Sequence, residues 1–167
     1  LLATALVIAR EPQVSAKEVT AAKQLAGGAS SLDELVASFM RALAANDVPA
    51  LRALAVTDEE YKTFIIPGSV EPGQPLQAPS AEIAEYFWQS LNGKSLINLG
   101  GLAERTGGKP LTLVRYTHSG EHAYTGFTSY RRLRLEVKDG AGEEFEIATG
   151  SAIVADGRYK FVSFIRD

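Results

Sequence analysis

The side chains with the most chemical potential cluster in the last third of the chain. Two histidines, His118 and His122, flank Ser119-Gly120-Glu121. A His-x-x-x-His pair with an intervening Glu can hold a metal when both rings project from one helix face. Across a hairpin turn that spacing splays the rings, so exposed turn histidines and no metal are expected. His118, beside Tyr116, is the candidate general base on the strands. Arg131 shares its parity with Leu133, Leu135 and Val137, which turns a guanidinium toward an apolar core with Ser129, Thr149 and Ser151 around it. An unpaired buried charge is costly. Arg131 is therefore an anchor for an anion or carboxylate, a member of a structural ion pair, or a residue displaced to the surface by a β-bulge.

Proton transfer inside an apolar cavity needs a base whose pKa burial can tune. Glu136, Glu144 and Glu146 alternate out of phase with Leu133, Leu135, Phe145 and Ile147 and face away from the core; Glu143, Asp139 and Asp156 fall at turns. Glu85, on a helix rich in aromatics, is the remaining carboxylate candidate. Tyr116, Tyr124, Tyr130 and Trp88 form an aromatic set suited to lining a cavity or filling a core. Arg132 and Arg134, in the run YRRLRLEV, are expected to pair with Glu144 and Glu146 on an outer sheet face. Gly107 to Pro110 (GGKP) lacks the glycine spacing and the Ser/Thr of a phosphate loop, and no cofactor is expected.

The elements that position these residues can be read from periodicity. Ser31-x-x-Glu34 is a capping box opening a helix on which Leu32, Leu35, Val36, Phe39 and Leu43 share a face. Asp47 with Pro49 starts a second helix, and Thr57-x-x-Glu60 starts a third that Pro67-Gly68 stops. Residues 67–79, with four prolines, form a surface loop. Ser80 caps an aromatic helix expected to end at Gly93, with 94–106 a further, weaker helical stretch. Beyond Gly107-Gly108 the period becomes two, and 111–118, 123–137, 143–155 and 158–166 read as four antiparallel strands. Ser119-Gly120, Asp139-Gly140 and Asp156-Gly157 are the expected turns. Facing Val137 with Glu143 sets Leu135 against Phe145, Leu133 against Ile147, Arg134 against Glu146 and Arg131 against Thr149. Strands of this length curl, so the expected fold is α+β: N-terminal helices packed on a strongly curved sheet of four or more strands, forming a cone.

The chain has 167 residues, enough for one domain over 30–167 behind an N-terminal segment 1–29. Its 46% hydrophobic content excludes wholesale disorder, and its net charge of −3 argues against a nucleic-acid partner. The absence of cysteine excludes thiol chemistry and disulfides and suits either cytosol or an oxidising compartment. The apolar run Leu1 to Ala9 is too short to span a bilayer. It matches the later part of a signal-peptide core with cleavage before Arg10, which implies export to a periplasm or medium; the other reading is a buried element of a cytoplasmic protein. A weak helix is expected over 15–26.

The opening helix SLDELVASFMRALAANDVPALRAL and the closing strands TGSAIVADGRYKFVSFIRD resemble the nuclear transport factor 2-like superfamily, whose cone-shaped members include SnoaL-like cyclases and ketosteroid isomerases. The resemblance covers roughly residues 30–167 and is one of fold rather than of catalytic motif; the superfamily's first hairpin is replaced here by the proline-rich 67–79 stretch. It implies a cone pocket for a small apolar or carboxylate-bearing ligand, an isomerase, cyclase or dehydratase using His118 or Glu85 with Tyr116 or Tyr130, or a homodimer formed through the sheet.

Overall fold

The computed structural model describes residues 25–165. The Leu1–Ala9 run and most of the expected helix 15–26 lie outside the described residues. Helix α1 (Leu32–Ala44) starts where Ser31 Oγ accepts the Glu34 N–H, and its Leu35, Val36, Phe39 and Leu43 are fully buried. Helix α2 (Val48–Ala53) is capped by the Asp47 carboxylate, with Pro49 in its first turn. The capping box of Thr57 and Glu60 opens α3 (Asp58–Glu60), which continues through a π-helical turn (Tyr61–Ile65) into α4 (Ile66–Gly68). Pro67 has no N–H and its ring crowds the carbonyl four residues back; widening the preceding turn lets the chain stay helical up to Gly68, where it ends as the Pro67-Gly68 pair implies.

Helix α5 (Ala81–Thr106) corrects the expected break at Gly93, running unbroken for 26 residues. Each helical glycine costs ~1 kcal/mol relative to alanine. The buried stripe of Ala84, Ser95, Leu99, Leu102, Ala103 and Thr106 seats the whole helix and offsets that cost.

The sheet is antiparallel and strongly curved, a half-barrel with order β1-β3-β4-β5. Its strands are β1 (Leu111–Thr117), β2 (Gly120–Ala123), β3 (Thr128–Asp139), β4 (Glu144–Ala155) and β5 (Arg158–Phe161). The four segments read from the sequence become five strands, within the expected four or more, because the 111–118 segment and residues 120–123 form separate strands that both pair with β3. Ser119-Gly120 is thus a break in one edge, not a hairpin turn. The turn lies at Tyr124–Phe127, closed by the Tyr124 N–H on the Phe127 carbonyl (2.8 Å) with Gly126 at φ +94. The break has a cause on the neighbouring strand: β3 bulges at 131–132, and Ser119 donates its N–H to the Arg131 carbonyl (2.9 Å) to bridge the gap.

The β3–β4 register also differs from expectation. Val137 faces Phe145, Leu135 faces Ile147 and Glu136 faces Glu146, two residues from the expected pairing. Asp139 sets it, its Oδ1 accepting the N–H groups of Ala141 (2.9 Å) and Glu143 (3.0 Å) around Gly142 at φ +85. Side chains repeat with period two, so this shift leaves each on its expected face. Arg134 still reaches Glu146 diagonally (2.7 Å), while Arg115 holds Glu136 through two bonds of 2.7 and 2.6 Å.

The main core lies between α1 and the concave face, where Phe39 meets Phe161 edge-on (5.5 Å) and stacks with Phe164 (6.0 Å). A second cluster, built from Val56, Phe64, Ile65, Phe127, Ile153 and Ala155, covers the other face at the N-terminal end of β3. Among the described residues no helix is long and apolar enough to cross a membrane.

Candidate functional site

The site grows from the bulge in β3. Tyr130 pairs with Ala152 and Leu133 with Gly150, leaving Arg131 and Arg132 together opposite the Ser151 region. Arg132 has φ +52, a left-handed conformation unusual for a side chain of this size, and its N–H reaches Ser151 Oγ (3.4 Å). A bulge places consecutive side chains toward one side. Arg131 and Arg132 accordingly line the same cleft, of about 460 Å³. This corrects the inward placement of Arg131: the bulge reverses the parity between Tyr130 and Leu133, so Leu133 joins the main core and Arg131 is exposed on the opposite face.

The cleft floor is apolar, formed by Ile65, Phe127, Ile153 and Val162; Ser69, Ser129, Ser151, Tyr61 and Tyr124 supply hydroxyls around it. Burial raises the Tyr61 pKa above the usual phenol value. Arg131 Nη2 makes a long contact to Tyr124 Oη (3.4 Å). Among the described residues neither Arg131 nor Arg132 has a carboxylate within ion-pair distance, in contrast to Arg115 and Arg134. The rim is latched from the proline-rich loop: Glu71 Oε1 lies 3.2 Å from His122 Nε2, and the His122 ring packs on Tyr124 at 4.4 Å. Two adjacent guanidiniums over an apolar floor offer charged donors beside a hydrophobic surface, a combination chemically suited to an anion with a hydrophobic body.

The other sequence candidates lie in two further places. Tyr116, His118 and Tyr130 come together with Tyr159 at one end of the main core. Tyr116 Oη donates to Asp33 Oδ1 (2.6 Å), and burial together with that bond pushes its pKa up to about 12. Burial, then a hydrogen bond with Tyr159, raises Tyr130. His118 packs edge-on to Tyr130 (5.3 Å), and its Nδ1 is buried without a hydrogen-bond partner among the described residues. Tyr116 supplies a direct pH test. A phenol raised in the folded state stabilises fully below its unfolded pKa, and that contribution disappears as pH climbs through the folded value. Stability should therefore fall between about pH 10 and about pH 12, and Tyr116→Phe should flatten that fall in thermal denaturation followed across the same range.

Trp88 and Glu85 sit on α5 and line neither the cleft nor the Tyr116 end of the core. Trp88 packs against Tyr61 at 5.5 Å and lines a shallow cleft of about 270 Å³ between α2 and α5. Glu85 is exposed and bonded to Lys62, whose hydrogen bond holds its carboxyl below the usual range. It lacks the burial that would make it a base near neutral pH. Among the described residues no cluster of His, Asp and Glu could hold a metal ion.

Sequence reasoning missed Arg132 as a site residue, because its outward parity suggested an ion-pair ladder. It also missed the buried pair of Lys160 and Glu60, 3% and 6% exposed, which joins α3 to β5. The doubled arginine in a strand otherwise alternating in polarity was the available signal. A scan against protein-family models finds no match for this chain, and a search of curated proteins finds none either.

Proposed function

We propose that this protein is a small-molecule-binding domain whose ligand is a small organic acid, held by its carboxylate at Arg131 and Arg132 with its apolar body on Phe127, Ile153 and Ile65. The observation that carries this reading is the left-handed Arg132. A side chain in that conformation costs about 1–2 kcal/mol, and here it brings a second unpaired guanidinium to one cleft; such strain clusters where it serves a site. The ionisable groups lining the cleft are guanidiniums and phenols, suited to holding an anion. The order of helices followed by a curved sheet supports placing the domain among nuclear transport factor 2-like folds, where one scaffold serves many functions. The apolar run Leu1–Ala9 ahead of Arg10 supports export as its setting, which a mature N-terminus near Arg10 in periplasm or medium would bear out and intact cytosolic protein would overturn.

The test uses octanoate and phenylacetate as probes in calorimetric titration. Arg131→Ala and Arg132→Gly should each weaken binding about tenfold, ~1.4 kcal/mol. Arg132→Gly should at the same time raise unfolding stability by about 1 kcal/mol, because glycine takes positive φ without strain. Loss of affinity with a gain in stability separates a functional arginine from a structural one. Equal affinity of both variants and parent, or no carboxylate binding at millimolar probe, overturns the reading.

A further inference from the structure

Helix α5 carries a second surface that the cleft does not use. Along its outer side Ile83, Tyr86, Ser90, Gly93, Ile97, Gly100 and Glu104 are all exposed and recur at alternating spacings of three and four. That is the heptad spacing of a helix seam that faces another helix. Its large members are among the most exposed apolar side chains of the described structure: Ile97 is 76% exposed, Tyr86 70% and Ile83 49%, with Phe87 beside them at 47%.

The glycines are a separate observation. Gly93 and Gly100 have no positive φ, and a Cβ added to either would meet nothing within 4 Å among the described residues. Nothing among the described residues requires either glycine, yet each costs ~1 kcal/mol of helix stability relative to alanine. A partner backbone approaching closely accounts for both.

We infer that α5 pairs with α5 of a second copy, antiparallel about a two-fold axis near the middle of the helix. The distribution of size and charge along the seam selects this arrangement. Ile83, Tyr86 and Phe87 occupy the N-terminal half; Gly100 and Gly101 lie in the C-terminal half. Antiparallel pairing lays the large side chains of each copy on the glycine surface of the other, whereas parallel pairing stacks bulk on bulk. It also brings the Glu82 end of each helix to the Arg105 end of its mate. Among the described residues neither Glu82 nor Arg105 belongs to an ion pair within its own chain. Opposed helix dipoles favour the same orientation. The expected dimer through the outer sheet face is less suited, since that face is occupied by the Arg115–Glu136, Arg134–Glu146 and Lys138–Glu144 pairs. A seam ~33 Å long buries on the order of 1,000 Å² in total, at the lower edge of specific interfaces, the size of a weak or transient dimer.

Sedimentation velocity of the full chain across the micromolar range should show a monomer–dimer equilibrium. Ile97→Glu, at a position already exposed, should leave the fold intact and weaken association at least tenfold. Gly100→Ala should stabilise the monomer while weakening the dimer. Glu82→Arg or Arg105→Glu alone should weaken association and the double exchange should restore it. Because the chain has no cysteine, orientation can be read cleanly: Ile83→Cys should cross-link to Glu104→Cys on oxidation but not to itself. A monomer at every concentration, a dimer indifferent to Ile97→Glu, or self-cross-linking of Ile83→Cys overturns the inference.

Discussion

Lys160→Met is expected to lower the unfolding free energy by about 3–5 kcal/mol, the usual cost of leaving one member of a buried ion pair alone. Lys160 Nζ lies 2.9 Å from both carboxylate oxygens of Glu60, and the two residues are 3% and 6% exposed. Glu60 also accepts the N–H groups of Thr57 and Ala26, at 2.7 Å each, tying the capping box of α3 and the N-terminal segment to β5. Burial pushes the Glu60 carboxyl up, but the bonds from Thr57, Lys160 and Ala26 together outweigh it and hold the pKa below its ordinary value. A lowered carboxylate contributes stability above its unfolded pKa and loses it as pH falls through the folded one. The parent should therefore lose stability in acid below about pH 4.5. In Lys160→Met burial is no longer offset by the ammonium, so Glu60 takes up its proton at higher pH and the deficit shrinks on acidification. Adding Glu60→Gln should recover part of the loss at neutral pH. Urea denaturation of these variants from acid to neutral pH checks the set, and a Lys160→Met protein within about 1 kcal/mol of the parent would contradict it.

Gly150→Ala should cost about 3 kcal/mol, combining a left-handed backbone with overpacking. Gly150 has φ +76, and an added Cβ would come within 2.8 Å of the carbonyl oxygens of both Ser163 and Ile165. Those are backbone atoms of the closing segment and cannot swing aside as a flexible side chain can. Gly142→Ala supplies the control: its φ is +85, but a Cβ there meets nothing within 4 Å among the described residues, so only the conformational cost of about 1 kcal/mol applies. Gly150 faces Leu133, next to the bulge that turns Arg131 and Arg132 into the cleft. Gly150→Ala should therefore weaken carboxylate binding as well as stability, whereas Gly142→Ala should leave binding unchanged. Thermal unfolding and calorimetry on the two variants separate these outcomes, and equal destabilisation by both would show that steric contact is not the larger part.

How much of this was legible beforehand depended on the range of the interaction concerned. The N-cap at Ser31, the capping box at Thr57 and the helix start at Asp47 were readable because they involve groups a few residues apart, although Glu34 bonds back to Ser30 rather than to Ser31. The Asp156-Gly157 turn was readable for the same reason, its two residues taking φ of +48 and +72 as the Asp-Gly pair implies. The alternation of Leu133, Leu135 and Val137 assigned the core face correctly, and a two-residue error in register left it intact.

The candidate site was legible only as a list. Tyr116, His118 and Tyr130 are brought together, but Arg131 lies on the opposite face of the sheet and Trp88 and Glu85 lie on α5. Local pattern alone determined a helical half, a sheet half and the side of the sheet that faces the core. Only tertiary packing decided that Gly93 does not end α5, because the buried residues beyond it outweigh a local helix penalty. Only pairing with β4 decided where β3 bulges: alternation counts residues along one strand, and a bulge is defined by the strand opposite. That single extra residue moved Arg131 out of the core and brought Arg132 to its side.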